Sequence, residues 1–334
     1  MRIAVDAMGG DKAPGEIVRG AVQGLDQLGE NDAIVLIGRR EAIEEHLPAD
    51  AAVRRRIVIH HASEVIEMDD PPVETIRQKK DSSIMVMTKL AAERQVDAVI
   101  SAGNTGACAA ACQLRLRTLG SVQRPGIAVV LPAFAGPVTL CDVGANVAPK
   151  PHHLLQYAQM ATVFAENILK IPRPRVGLLS IGSEAVKGNP LVKQTRALIK
   201  QDPSLNFVGN IEGQELYSGA CDVAVCDGFV GNVVLKLTEG LADGLFKTIR
   251  REIEAENPDL AKSFEPVVQA IWARHDYSEY GGAPLLGVDG VCIICHGSSD
   301  ARAIKNAVRV ARDFVRSELN RAILGRLTEE AANA

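Results

Sequence analysis

Short aliphatic and β-branched runs alternate with longer stretches whose apolar positions return every three or four residues, and this alternation persists to about residue 230. Such a pattern predicts βαβ units around a largely parallel sheet. Strands are expected from Arg2 to Ala7, Ala33 to Gly38, Arg56 to His60, Asp97 to Ser101, Gly126 to Leu131 and Val138 to Asp142. A second series runs from Arg175 to Ile181, Asn206 to Ile211, Asp222 to Cys226 and Val291 to Cys295. Between them, helices are expected at about Pro14–Leu28, Pro72–Lys80, Ser82–Arg94, Thr105–Arg117, Pro151–Lys170 and Pro190–Gln201, several with proline at the start, where the missing N–H costs nothing.

From Val230 to Tyr280 the strand pattern stops. Two helical stretches meet at Asn257-Pro258, and the second carries Leu260, Phe264, Val267, Val268, Ile271 and Trp272 near one face. A helical hairpin without a sheet beneath it must bury that face elsewhere: against a second subunit, on its own core, or at a membrane surface. With short connections and no linker, residues 1–334 read as one α/β domain with 230–280 as an excursion.

Composition narrows the classes. A net charge of −4 gives no basic field, which argues against nucleic acid as the main partner. The N-terminus enters a strand-like run directly, without a secretory signal, and no apolar stretch reaches a membrane span, so the expected location is the cytoplasm. The seven cysteines sit in apolar or small-residue runs, as reduced core thiols do. Cys292-Ile-Ile-Cys295-His296 has the spacing of a haem attachment site but reads as a buried strand, and no second ligand pair has zinc spacing. Neither haem nor zinc is expected from these residues.

Candidate chemistry lies in glycine-rich loops at predicted strand ends: Asp6-Ala-Met-Gly9-Gly10-Asp11, Ser101-Ala-Gly103-Asn104-Thr105-Gly106, Asp142-Val-Gly-Ala-Asn146, Ile181 to Asn189, Asp227-Gly-Phe-Val-Gly231-Asn232 and His296-Gly297-Ser298-Ser-Asp300. Glycine lets backbone N–H groups approach an anion, and a following helix adds its positive end. Ligands of open α/β sheets sit at the carboxyl ends of strands, so the expectation is one edge and one pocket for a phosphate-bearing substrate. The nucleotide-binding glycine fingerprints, the serine-nucleophile elbow and the zinc-protease helix are all missing from the sequence.

Within these loops Lys187, beside Gly188 and Asn189, reads as a phosphate-neutralising cation or as a solvated surface lysine. Asn232 reads as an oxyanion donor or as a helix N-cap. His296 either binds backbone or phosphate or is structural, while His60, His61, His152 and His153 read as structural and Arg54-Arg55-Arg56 as a solvated run. Arg302, Lys305, Arg309, Arg312 and Arg316 repeat at 3, 4, 3, 4 on one helical face, suiting an acidic protein, an anionic membrane, or plain solvent.

In this order the loops resemble those of the bacterial phosphate acyltransferases, the acyl-carrier-protein:phosphate transacylases of phospholipid synthesis. The resemblance runs from Val5 to Pro14, through Ser101 to Ala107, Asp142 to Asn146, Gly182 to Asn189, Asp227 to Lys236 and Gly282 to Gly287, and ends with His296 to Asp300. It implies transfer of a long-chain acyl group from its carrier-protein thioester to inorganic phosphate, giving acyl phosphate for glycerol-3-phosphate acylation. The implied fold is a three-layer αβα sandwich similar to isocitrate and isopropylmalate dehydrogenases. It also implies a homodimer without cofactor, associated with the membrane surface or with a glycerol-3-phosphate acyltransferase, and Lys187 and Asn232 at the catalytic positions. Substrate would then meet Asp6, Gly9, Gly10, Gly103, Asn104, Thr105, Gly106, Asn146, Gly188, Asn189, Gly231, His296, Gly297 and Ser298. The rivals are phosphotransacetylase chemistry on short acyl-CoA and a non-catalytic partner that recruits lipid enzymes.

Overall fold

The computed structural model describes residues 1–256, 262–267 and 281–333. Eleven strands form one sheet in the order β3-β2-β1-β4-β11-β10-β5-β6-β9-β7-β8. They are β1 (Arg2–Asp6), β2 (Ala33–Gly38), β3 (Ile57–His61), β4 (Ala98–Ser101), β5 (Gly126–Ala133), β6 (Gly136–Cys141), β7 (Arg175–Leu179), β8 (Asn206–Ile211), β9 (Val223–Val225), β10 (Ala283–Leu286) and β11 (Val291–Ile294). Helices cover both faces: α1 (Gly15–Gly24), α2 (Arg40–Glu44), α3 (Ala51–Arg55), α4 (Pro72–Gln78), α5 (Ser83–Ala92), α6 (Thr105–Leu116), α7 (Pro151–Asn167), α8 (Pro190–Gln201), α9 (Gly228–Glu256), α10 (Ala301–Arg316) and α11 (Leu319–Asn333).

The predicted strands are all present; β1, β4 and β9 are largely aliphatic and bury both faces, as parallel strands under helices must. Helix starts follow their caps: Asn104 accepts from the Ala107 amide at 3.0 Å, Asn189 from Val192 at 2.9 Å and Asp300 from Ala303 at 2.9 Å. The sequence pattern does not show α2, α3 or β10. Each is only four or five residues long, and β10 contains Pro284, which reads as a breaker.

The sheet corrects one expectation directly. β1, β2, β3, β4 and β11 are mutually parallel, and so are β6, β7, β8 and β9. Three successive antiparallel pairings, β11 with β10, β10 with β5 and β5 with β6, reverse the second set against the first. The glycine-rich loops therefore leave two opposite edges instead of one: those after β1, β4 and β11 on one side, those after β6, β7 and β9 on the other. Sequence periodicity carries strand identity but not strand direction, so this reversal was invisible to it.

α9 joins the two sides. Its start is fixed by Asp227, whose carboxylate accepts from the Val230 amide at 2.9 Å, so Asn232 is inside the helix and is not its cap. A Cβ on Gly231 would lie 1.9 Å from the Asp142 carbonyl oxygen, so only glycine lets this turn settle on the end of β6. Beyond Leu235 the helix leaves the sheet, and no residue from Lys236 to Glu256 is fully buried. Phe229, Val233, Leu237, Leu241, Leu245 and Ile249 form an apolar row along it, each at least 37% exposed. Residues 262–267 are helical, with Glu265 3.7 Å from Arg250 of α9. The expected turn at Asn257-Pro258, and Leu260, Val268, Ile271 and Trp272, lie outside the described residues.

Two charge readings change. Arg56 is not simply solvated: its guanidinium donates to the carbonyls of Leu25, Gly29 and Asp32, tying the α1–β2 connection to β3. The basic face of α10 is partly spent on the protein itself. Lys305 lies 3.5 Å from Asp26, Arg312 donates to the Gln27 carbonyl at 2.6 Å, and Arg302 and Arg309 are also engaged. Among the described residues no helix is long and apolar enough to cross a membrane.

Candidate active site

Each half of the sheet anchors its loops on a buried aspartate at a strand end. Asp6 accepts from the Ser101 hydroxyl at 2.7 Å and the Met8 amide at 3.2 Å. Asp142 accepts from the amides of Ile127, Ala145 and Asn146 at 2.9, 3.1 and 2.7 Å. Burial pushes both carboxyls above the usual carboxylate range, and these hydrogen bonds pull back towards the ionised form. Asp6, expected to meet substrate, has no exposed surface and organises the loops instead.

Other expected contacts are also spent on protein. The Asn104 amide nitrogen donates to the carbonyls of Glu67, Met68 and Asp70, and its oxygen caps α6. Asn146 donates to the Pro125 carbonyl at 2.7 Å, and Asn189 caps α8. Gly9 lies against Gly103 and Gly10 against Gly297, while the Asp11 amide donates to the Gly297 carbonyl at 2.8 Å, so the loops after β1, β4 and β11 form one packed body.

Over this body and the start of α9 opens a cavity of about 360 Å³. Its polar wall holds Thr105, Asn232, Lys236, Glu239, His296 and Ser298, and its apolar floor includes Ile127, Val129 and Ile294. Thr105 and Gly106 form the first turn of α6, and their amides have no partner among the described residues, leaving two donors at the positive end of a twelve-residue helix. Asn232 is exposed, with no side-chain partner among the described residues.

Lys236 was quoted in the sequence motif without a role; the signal for one was its spacing, since Asn232, Lys236 and Glu239 lie at i, i+4 and i+7 on one helical face. Its ammonium bonds Glu239 at 3.1 Å and also the Nε2 of His296. An ammonium can only donate, so Nε2 accepts. Burial, and then the Lys236 charge, lower the His296 pKa, so the ring is neutral at pH 7. Its Nδ1 meets the Ser298 hydroxyl at 2.7 Å.

Lys187 is elsewhere. It stands exposed on the loop between β7 and α8, its stem over Gly182, with Gly188 and Asn189 beside it, and none of these residues lines the cavity. β7 and β9 are adjacent and parallel, so this loop leaves the same edge from which α9 starts. All seven cysteines are buried and unbridged, and the Cys108, Cys112 and Cys292 thiols lie within 4.8 Å of one another.

The cavity thus combines anion donors, one cation, an uncommitted amide and an apolar floor, and the hydroxyl–imidazole contact among its described lining residues is Ser298 with Nδ1 of His296, the nitrogen that carries the proton when Nε2 accepts from Lys236. That suits a reaction in which the substrate supplies the nucleophile. Residues 1–322 match the family described as "Fatty acid synthesis protein". The phosphate acyltransferase of Desulfitobacterium hafniense (strain DSM 10664 / DCB-2) is 51% identical over 320 residues, covering 95% of each chain. That of Heliobacterium modesticaldum is 49% identical over 328 residues, covering 97% of this chain and 96% of its own. Among solved structures, a Streptococcus pyogenes phosphotransacetylase superposes with a TM-score of 0.62 at 15% identity over 95% of this chain and 94% of that one. A branched-chain phosphotransacylase from Enterococcus faecalis gives 0.58 at 15% identity over 94% of this chain and 99% of that one. At that identity these two bear on the fold alone.

Proposed function

The chain belongs to the phosphate acyltransferase family, and from that premise we infer that it transfers a long-chain fatty acyl group from an acyl-carrier-protein thioester to inorganic phosphate. The product is an acyl phosphate, the activated donor for glycerol-3-phosphate acylation in phospholipid synthesis. The observation that carries the assignment to this cavity is the meeting of Thr105 at the α6 N-terminus, Lys236 and Asn232 above an apolar floor.

Phosphate sits at the free amides of Thr105 and Gly106, its charge balanced by Lys236. One of its oxygens attacks the thioester carbonyl carbon. Asn232 donates its amide to the tetrahedral oxyanion, and collapse expels the carrier thiolate, which takes up the proton that hydrogen phosphate loses on becoming the acyl phosphate. The neutral His296 ring adds no charge of its own and holds the Lys236 ammonium in place. Lys187 is the second cation in this proposal: its loop leaves the same edge as α9 and closes over the reacting carbon when the donor is bound.

The exposed row from Phe229 to Ile249 supports a homodimer in which a second copy covers α9, since an apolar face of six side chains is costly to leave in water. Further proposals are a cytoplasmic location and attachment at the inner membrane surface, where the product's consumer, a glycerol-3-phosphate acyltransferase, would meet it.

Hydroxylamine trapping tests the function. Enzyme-dependent acyl hydroxamate, above the background of direct hydroxylaminolysis of the thioester, should form from a palmitoyl carrier protein only when phosphate is present. Product from acetyl-CoA alone would point to phosphotransacetylase chemistry, and no product from either donor would leave a non-catalytic role.

A further inference from the structure

The cavity at Asn232 does not stop at the sheet. β10 pairs with β11 through Ala283 and Pro284 and with β5 only through Leu285 and Leu286, opposite Ile127 and Gly126. β5 runs on to Ala133, so from Val130 onward it has no β10 partner among the described residues, and the two strands part where Gly282 and Val130 stand opposite each other in the register.

Successive β5 side chains point to opposite faces. Ile127 belongs to the core under α6 and α9, and Val130 to the core under α7 and α10. Both line the first cavity, which therefore touches residues of both faces of the sheet. On the far face lies a second cavity of about 510 Å³ that shares Val130 and Gly282 with the first. Its apolar wall is Phe164, Ile168, Leu169, Pro284 and Val310, and its far rim is polar, with Lys170, Arg309 and Arg316. Gly282 sits at φ +90°, and a Cβ there would meet Ile293 at 2.8 Å, so the neck between the cavities carries no side chain at this point.

We propose that the acyl tail of the donor threads this opening: its carbonyl lies at Asn232, its chain passes between Gly282 and Val130, and its terminal methylenes rest against Phe164, Leu169 and Val310. The inference depends on the acyl-transfer reading above and adds to it the residues that gauge chain length. A neck of valine and glycine suits methylenes, which ask for no hydrogen bond, and the charged rim beyond Val310 sets the far limit.

The test compares kcat/KM for palmitoyl and butyryl carrier protein in the full-length enzyme. Val130→Phe narrows the neck and Leu169→Trp fills the far cavity. Each methylene kept out of an apolar site costs roughly fourfold in binding, so both variants should lose about tenfold or more with palmitoyl, while Leu169→Trp, away from the reacting carbon, stays within about twofold with butyryl. The phosphate KM should not move. Should Val130→Phe fail the thermal-unfolding control, Leu169→Trp decides alone. An unchanged palmitoyl-to-butyryl ratio in the folded variants would overturn the channel while leaving the acyl-transfer reading intact, whereas an unmodified enzyme inactive with both donors would overturn that reading and the channel with it.

Discussion

The Lys236 ammonium donates to Nε2 of His296, sixty residues further along the chain, and so ties the third turn of α9 to the loop after β11. That bond joins the two oppositely directed halves of the sheet at the candidate site. It also couples the charge of one residue to the protonation of the other.

Replacing Lys236 with methionine removes the cation and keeps most of the stem. The His296 pKa should rise towards the ordinary histidine value, because the repelling charge is gone while its neighbour Glu239 remains. NMR titration of the ring reads this directly. The phosphate KM should rise roughly tenfold to a hundredfold, the worth of one charge-assisted hydrogen bond. A KM equal to that of the unmodified enzyme would remove Lys236 from the phosphate site.

Asn232→Ala should lower turnover by about 10²–10³, as loss of one oxyanion donor does, with little change in thermal stability because the side chain is exposed and unbonded among the described residues. Lys187→Ala, tested beside it, should lower turnover without changing the fold. Unaltered turnover in the lysine variant would show that its loop does not close on the cavity.

Placing glutamate at Leu237 and Leu241 puts charge in the middle of the exposed α9 row, where both side chains are more than 60% exposed. A dimer built on that face should separate into monomers in sedimentation, with the unfolding midpoint of the α/β body unchanged. Dimers that persist would place the interface elsewhere.

Stability should also depend on His153. Its Nδ1 accepts from the Lys150 amide at 3.0 Å, and burial first, then neighbouring His152, Arg124 and Lys150, lower its pKa to about 4. Protonation destroys that acceptor. The unfolded chain takes up the proton near the ordinary value of 6.5, so this contribution is intact above that pH and is lost as the pH falls towards about 4. The loss should be on the order of 1–3 kcal/mol. Urea unfolding at successive pH values measures it, and His153→Asn should flatten the slope.

The sequence alone determined the elements and their chemistry. Aliphatic runs such as Ile3-Ala4-Val5 and Val223-Ala224-Val225 fixed the strands, because a segment buried on both faces admits little else. Caps such as Asn104, Asn189 and Asp300 fixed helix starts, and the loop motifs fixed the family. Tertiary structure decided which loops share an edge, because side-chain periodicity is the same for a strand running in either direction. It also decided which polar residues remain uncommitted. Asp6, Asn104 and Asn146 look as available in sequence as Asn232, but their bonding capacity is consumed by partners many residues away, and only folding brings those partners within reach.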